Sequence, residues 1–570
     1  LTEIVATIPA DQSAAAAEAA INHETDRLCR YRVTKQELAK AVHQDIAAFV
    51  FGDEGAAGQA AAVGYYDVVA DVRLQDHYLS EISSVTPADI QRVASKYFVA
   101  GNRTTGWVML FPTKPAPPHA AGANLLDESP GIESPTSPGS SGVVNQLQSS
   151  PLPGPLAHRP ITRRVLSNGL TVLIYPSHSS PTVAIDCEID AGALDDPPGL
   201  AGLANAAVTL AHWRTAPLDG WKLDQALDSM GARISTGILP RGALFEARCL
   251  MGDYHRTMDL LADEVIYPIY PSRGLKSLRR DDENDERDLR LQPISVATRA
   301  MDAALYPPGS PYHVSEYGIP ETRERMTAAD LDSFHNRYYR PDRTTIAVVG
   351  DIDVKTALNT VQQFFGRWEA SGPPPPDPTP PPARERPARI VKVIPGAPET
   401  AIEIGSGGIA RSCTDYYAAA LMNSILGGTD FTGRLERDLR ERQGLVYYVG
   451  SYWDAEPIAG PWRVSMQTAP GNVNRAVAST IAEIRGMQQT LPTPGEMTLL
   501  KNWMAGSRAV SLQTNEEIAR SLLYAAENHL SPATPWTYPA YIAAVTPEQV
   551  RAAARRYLHP DHLVISIAGP

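Results

Sequence analysis

Histidine, cysteine and clustered carboxylates are the residues able to hold a metal ion or act as a nucleophile, and the 570-residue chain carries 13 His and 4 Cys. Cys29, Cys187, Cys249 and Cys413 stand far apart with no C-x-x-C spacing. That pattern suggests neither a thiolate zinc site nor a disulfide framework and leaves buried thiols as the expectation. His212 has no His or Glu three or four positions away to complete a site, so it reads as a surface or half-buried histidine. His559 and His562, in YLHPDHLVI, stand at a turn leading into a strand. The acidic run LRRDDENDERDLR reads as a solvated helix face, with Arg279/Glu283 and Glu283/Arg287 at ion-pairing i,i+4 spacing. Residues 199–210, GLAGLANAAVTL, form a helix of very small side chains, against which something must pack closely.

The bulk numbers bound what these residues can serve. A chain this long exceeds one hydrophobic core, and roughly 150 residues per domain suggests about three or four domains. Hydrophobic residues make up 43% and charged residues 20%, an ordinary globular balance with no apolar run of membrane-spanning length. A net charge of -13 argues against a nucleic-acid partner, since phosphate binding needs concentrated Lys and Arg. The first residues, LTEIVATIPADQ, lack an initiator Met, a basic n-region and an apolar h-region, which reads as a start inside a domain.

Two proline-rich tracts, 113–160 and 371–387, suit extended linkers and leave blocks 1–112, 161–370 and 388–570. One phrase recurs near the end of each block: VTPADIQRVASKYF from Val85, MTAADLDSFHNRYY from Met326 and VTPEQVRAAARRYL from Val545. Each predicts Thr at a helix N-cap, an amphipathic helix ending in Tyr, a short turn and a β-rich strand. Upstream, the segment from Val33 lines up with that from Pro492, a capped helix, a break and a second helix. The first block lacks the strands and helix that open the third, and so looks truncated at its N-terminus. In the second block Asn168-Gly169 predicts a hairpin, and in the third a helix is expected near Tyr416 to Leu426. The fold class that follows is α+β, with helices layered on a sheet in each block.

Four phrases then resemble a known family when taken in order: NGLTVLIYPSHSSPTVAIDCEIDAGALDDPPGLAGLANA, ALYPPGSPYHVSEYG, FHNRYYRPDRTTIAVVGDID and MNSILGGTDFTGRLERDLRERQGLVYYVGSYWD. Together they are similar to the pitrilysin and insulin-degrading-enzyme family of zinc metallopeptidases, which includes the mitochondrial processing peptidases. The similarity spans nearly the whole chain outside the linkers. It implies repeated metallopeptidase-like domains, each a mainly antiparallel sheet with helices packed on it, two per half of a clam-shaped chamber. In the family's active half an HxxEH helix binds zinc through both His, and its Glu is the general base on metal-bound water.

Aligned on that motif, Gly202 and Ala206 fall at the His positions and Asn205 at the base. Glycine and alanine offer no ligand atom, and an amide cannot accept a proton near neutral pH. The family's third zinc ligand would fall near Glu283, Asp285 or Glu286. In the family's non-catalytic half an Arg and a Tyr seven residues later reach the substrate beside the zinc, and LRERQGLVYYV supplies Arg440 and Tyr447 at that spacing. The resemblance therefore implies a tail of a peptidase-family domain (1–112), a zinc-less degenerate domain (161–370) and a domain presenting Arg440 and Tyr447 (388–570). The implied function is the non-catalytic, substrate-binding half of a zinc metalloendopeptidase acting on peptides or unfolded segments, inactive alone. The alternative is an inactive scaffold subunit of a processing-peptidase-like complex. No cofactor is expected in this chain. Zn2+ belongs to a catalytic half, either upstream or on a separate chain, as part of a homo- or heterodimer. The resemblance points to the bacterial periplasm or cell envelope, with the cytoplasm as the alternative.

Overall fold

The computed structural model describes residues 2–8, 12–69, 71–108, 156–377, 379, 382–429 and 432–570. Most of the first linker, residues 113–155, and positions 378, 380 and 381 of the second lie outside the described residues. The chain divides into two units, Leu1–Ile46 with Val63–Gln146, and Ala47–Ala62 with Leu147–Pro570.

The recurrent phrase folds the same way three times. Thr86, Thr327 and Thr546 are N-caps of the helices Pro87–Tyr97, Ala328–Tyr338 and Pro547–Tyr557. In each, the Thr side chain accepts from the backbone three residues on, while Asp89, Asp330 or Gln549 reaches back to the Thr N–H. This reciprocal capping satisfies two otherwise orphaned donors and fixes where each helix begins. Thr34 with Glu37 and Thr493 with Glu496 repeat the device at the two upstream helices that the sequence aligns.

In the first unit the described elements are helices, with Ala14–Arg30 packed along Pro87–Tyr97. Ser95 Oγ donates to the Cys29 carbonyl at 3.0 Å, and Gln91 Nε2 donates to the Arg30 carbonyl at 3.0 Å. The strand expected after the capped helix does not form over residues 103–108. Trp107 and Val108 are exposed there, with no partner strand among the described residues to complete a ladder.

The second unit holds two sheets. The first has β1 (Thr162–Val165), β2 (Thr171–Pro176), β3 (Thr182–Ile189), β4 (Arg233–Ile238), β5 (Ala243–Leu250) and β6 (Thr344–Gly350), in spatial order β1-β2-β6-β3-β5-β4. The second has β7 (Ala388–Val393), β8 (Thr400–Gly407), β9 (Val446–Ala455), β10 (Ala459–Thr468) and β11 (Val564–Gly569), in order β7-β11-β8-β10-β9. Setting β2 on β7 makes the orders coincide, with β1 as the extra member. Both sheets are antiparallel except at one place, where the strand opening the block lies parallel to the strand ending it (β2 with β6, β7 with β11). Asn168 and Gly169 turn the β1–β2 hairpin, with Gly169 at φ +95°, and Asn168 Nδ2 donates to the Phe365 and Trp368 carbonyls at 2.8 and 3.0 Å.

Each sheet buries one face under helices of its own block. The other face takes a helix from the opposite block. Asn515–Glu527 lays Ile518, Ala519, Leu522 and Leu523 on Leu173, Tyr175, Ala184, Ala347 and Val349 of the first sheet. Pro293–Leu305 lays Ala297, Met301 and Leu305 across the second sheet, against Ala401, Val564 and Ala568. The two helices hold the same place in the order of their blocks, so the exchange is reciprocal. Polar contacts mark both crossings. Asn515 Nδ2 donates to Thr182 Oγ1 at 2.8 Å, and Arg463 lies 3.8 Å from Asp302.

The four cysteines are free, but only Cys187 and Cys249 are buried, in the first core, whereas Cys29 and Cys413 are half-buried. No helix among the described residues is long and apolar enough to cross a membrane.

Leu522 is fully buried in the exchanged helix. Leu522→Ala is expected to cost about 2–5 kcal/mol, as for other large-to-small core changes. Urea unfolding followed by fluorescence should record this as one shifted transition, because a helix of the second sheet's block closes the first sheet. A shift confined to a separate second transition would contradict it.

Candidate functional site

The helix of small residues begins later than the sequence suggests. Leu203–Ala211 is helical and eight of its nine residues are buried, so the close packing expected of it is present. Gly202 is its N-cap, in the left-handed region at φ +87° and ψ +8°, a conformation that glycine adopts without penalty. Asp196 caps this end, accepting from the N–H groups of Gly202 (2.6 Å) and Ala204 (2.8 Å). A side chain at Gly202 would place its Cβ 2.7 Å from the Tyr317 carbonyl oxygen and 2.7 Å from Gly318 Cα. Asn205 is buried and accepts from Thr209 Oγ1 at 3.4 Å, and Ala206 is fully buried. These three positions do not fit a zinc ion, because the backbone has closed over the first of them. Beyond them, Arg323 is buried within 2.5 Å of Asp282 and donates through Nε to the Tyr317 carbonyl at 2.9 Å.

The acidic helix Ser272–Leu289 is likewise committed elsewhere. Glu286 accepts from Arg290 (2.7 Å) and Arg299 (2.6 Å). Burial works against its charge, but the two guanidinium groups prevail and hold the carboxyl below its usual range. Arg279 does not serve Glu283 as its spacing suggests. It reaches instead to the carbonyls of Arg323 (3.1 Å) and Met326 (2.6 Å), which tie the helix to the following loop. Among the described residues no group of three or more His, Cys, Asp or Glu is placed to hold a metal ion.

His212 has more company than its sequence neighbours imply. It caps the C-terminus of the small-residue helix, with Nε2 2.8 Å from Asp224 Oδ1 and Nδ1 3.2 Å from the buried Glu264 Oε1. These partners lie 12 and 52 residues away on other helices, out of reach of any periodicity argument. Burial disfavours the charged ring, but the two carboxylates outweigh it and raise the imidazole to about 9. The result is a charged histidine clamped between two acids.

Arg440 and Tyr447 are brought together by two irregularities. Arg440 lies in a π-helix, Glu436–Arg442, a wide turn that closes with the Leu445 N–H donating to the Leu439 carbonyl at 2.8 Å. Such turns recur at functional sites. Tyr447 is the extra residue of a β-bulge, since Val446 pairs with Thr468 and Tyr448 with Gln467. A bulge re-aims its side chain, and Tyr447 is 85% exposed. The Arg440 guanidinium lies 5.5 Å from the Tyr447 ring centroid, within cation–π range. Its Nη1 donates to the buried Glu436 at 3.0 Å. The neighbouring arginines are bound differently. Arg434 and Arg437 both donate to Glu496 (2.8 and 2.9 Å), and Arg442 pairs with Asp438. Burial resists the charge on Glu496, but Arg434 and the Thr493 cap bring its carboxyl down to about 2. His559 and His562 sit at the turn before β11, 6.1 Å apart between ring centroids.

The chain is similar to several known proteins. Residues 325–504 match the family model described as Peptidase M16 inactive domain. An uncharacterized zinc protease of Mycobacterium leprae is 26% identical over 347 residues, 57% of this chain and 74% of the relative. The mitochondrial-processing peptidase subunit beta of Saccharomyces cerevisiae is 24% identical over 277 residues, 46% of this chain and 58% of the relative. A crystal structure of a peptidase M16 inactive domain from Pseudomonas fluorescens superposes with a TM-score of 0.68 at 25% identity, covering 72% of this chain and 98% of that one.

Two outcomes follow from the closed motif and the clamped histidine. Grafting the active-half residues as Gly202→His, Asn205→Glu and Ala206→His is expected to destabilise the fold without creating a zinc site, because Gly202 is both left-handed and overlapped. Metal analysis finding tight 1:1 zinc in a folded triple variant would refute this. A histidine raised from 6.5 to about 9 on folding contributes stability that is complete below about 6.5 and lost as pH rises through about 9. Thermal melts from pH 6 to pH 10 should therefore show wild type losing on the order of 1–3 kcal/mol that His212→Gln does not lose. Parallel pH profiles for the two proteins would count against the charged clamp.

Proposed function

This chain carries the inactive domain of the M16 peptidases, and on that premise we propose that it is the substrate-holding, non-catalytic half of a zinc metalloendopeptidase. Residues 1–112 then end one peptidase-family domain, 161–370 make up the zinc-less domain, and 388–570 present the binding pair. The observation that carries the reading is the pairing of Arg440 with Tyr447. The arginine is braced on Glu436 and the phenol stands free in solvent 5.5 Å from it. A guanidinium suits peptide carbonyl oxygens, and a phenol can donate to an oxyanion that develops as water attacks the peptide bond. Both groups lie at irregular backbone rather than in the core, where a structural role would place them. The hydrolytic zinc and its base belong to a catalytic half, upstream or on a partner chain. The substrate is a peptide or unfolded segment bound in extended form.

The second reading is an inactive partner subunit that braces a complex. One relative is named as a subunit, the mitochondrial-processing peptidase subunit beta, which makes assembly with another chain the natural comparison. The exposed Tyr447 beside the half-buried Arg440 favours the first reading, since a brace has no use for a solvent-facing phenol on a bulge.

With the catalytic half supplied, Tyr447→Phe and Arg440→Ala are each expected to lower peptide hydrolysis by about 10–100-fold, the scale of losing one oxyanion donor or substrate clamp. Circular dichroism should remain unchanged. Unaltered hydrolysis by both variants would remove the assigned role and leave the subunit reading.

A further inference from the structure

Away from Arg440 and Tyr447, a cavity of about 360 Å³ opens between the helix Tyr416–Leu426, the end of β9 and the exchanged helix Asn515–Glu527. Its walls include the aromatic rings of Tyr416, Trp453 and Tyr524, and the thioether of Met504. Its polar lining includes Asn423, Ser424 and the carboxyl groups of Asp454 and Glu456, and no Lys or Arg among the described residues lines it. Asp454 is already held by Arg463 at 3.2 Å. Glu456 is different, because its Oε2 is buried with no hydrogen-bond partner among the described residues. Ser424 is only 7% exposed and lines the same space. Trp453 Nε1, a donor, is also buried with no hydrogen-bond partner among the described residues.

A buried carboxylate oxygen lacking a donor is costly, and a native structure that keeps one invites an explanation. At Glu456 the open valence is an acceptor, which calls for a donor with positive charge, and the surrounding rings offer negative π faces. The same wall already shows this preference, with the Arg411 guanidinium stacked 3.7 Å over the Tyr416 ring centroid. Besides the polar groups, the lining carries aromatic rings, Met504, Ala419 and Ala420, against which an alkyl stem beneath a charged head can lie, and the volume lies in the range of small-ligand sites. We propose that this cavity binds a guanidinium or ammonium group on an alkyl stem, the arginine or lysine side chain of a polypeptide, with Glu456 as its counter-charge and Tyr416, Trp453 and Tyr524 as its walls. Arg440 and Tyr447 are not among the lining residues, so the cavity makes a second foothold that needs no catalytic half to be tested.

Calorimetric titration of the full chain with acetyl-arginine-N-methylamide, butylguanidine and acetyl-citrulline-N-methylamide tests it. The expected result is saturable, salt-sensitive binding of the two cations, with the neutral citrulline isostere weaker by about tenfold or more. Tighter binding of the arginine unit than of butylguanidine assigns a peptide source. Equal binding supports the cation site but not the polypeptide as its source, which overturns that half of the proposal. Glu456→Gln should weaken binding by about tenfold at unchanged folding, and Ala420→Leu, which fills the cavity from the helix wall, should abolish it. Arg440→Ala should leave it intact, which separates this site from the hydrolytic role. Citrulline binding as well as arginine, no saturable binding at millimolar cation, or full binding by Ala420→Leu would each overturn the site.

Discussion

The second unit depends on an exchange. Neither sheet can cover its second face with helices of its own block, so each borrows one. Asn515–Glu527 closes the first sheet and Pro293–Leu305 closes the second. A sheet with one bare apolar face is not a stable body in water. The exchange therefore makes the two repeats one cooperative structure, although each has its own strand order and its own main core. It also puts Tyr524, which faces the polar cavity, on the same helix that buries Leu522 in the opposite sheet. Packing and recognition share that helix.

Much of this architecture was legible in the residues. The threonine caps of the recurrent phrase mark three helix starts because a hydroxyl followed three residues later by Asp or Gln is a local device, complete within one turn. The Asn-Gly hairpin and the helix at Tyr416–Leu426 are local in the same sense. What could not be read is what depends on partners far along the chain. His212 meets Asp224 and Glu264 through three-dimensional packing alone. The exchange is equally silent, because an apolar helix face does not record which sheet it will cover. The strand expected at the end of the first block fails for a related reason, since a strand exists only with a neighbour.

The family's sites are legible to different degrees. Gly202, Asn205 and Ala206 already exclude zinc chemistry by side-chain type, but the sequence cannot say that the backbone has turned left-handed at Gly202 and met Gly318. At Gly202 the side-chain type offers no ligand atom, and the space a side chain would need is filled as well. Arg440 and Tyr447 are found by a seven-residue spacing, yet their meeting relies on a π-helix and a bulge, both of which insert a residue into a regular pattern. Periodicity arguments assume that no such insertion occurs.

The reciprocal exchange also sets an order of events during synthesis. The first sheet takes its last strand at residues 344–350, but its covering helix lies some 170 residues further on. Until that helix leaves the ribosome, Leu173, Ala184 and Val349 must face solvent on a nearly finished sheet. A nascent chain in that state is sticky, and it must wait for the second repeat before it can close. The contact that unites the mature protein is thus also its period of greatest exposure to chaperones and to misassembly with a neighbouring nascent copy.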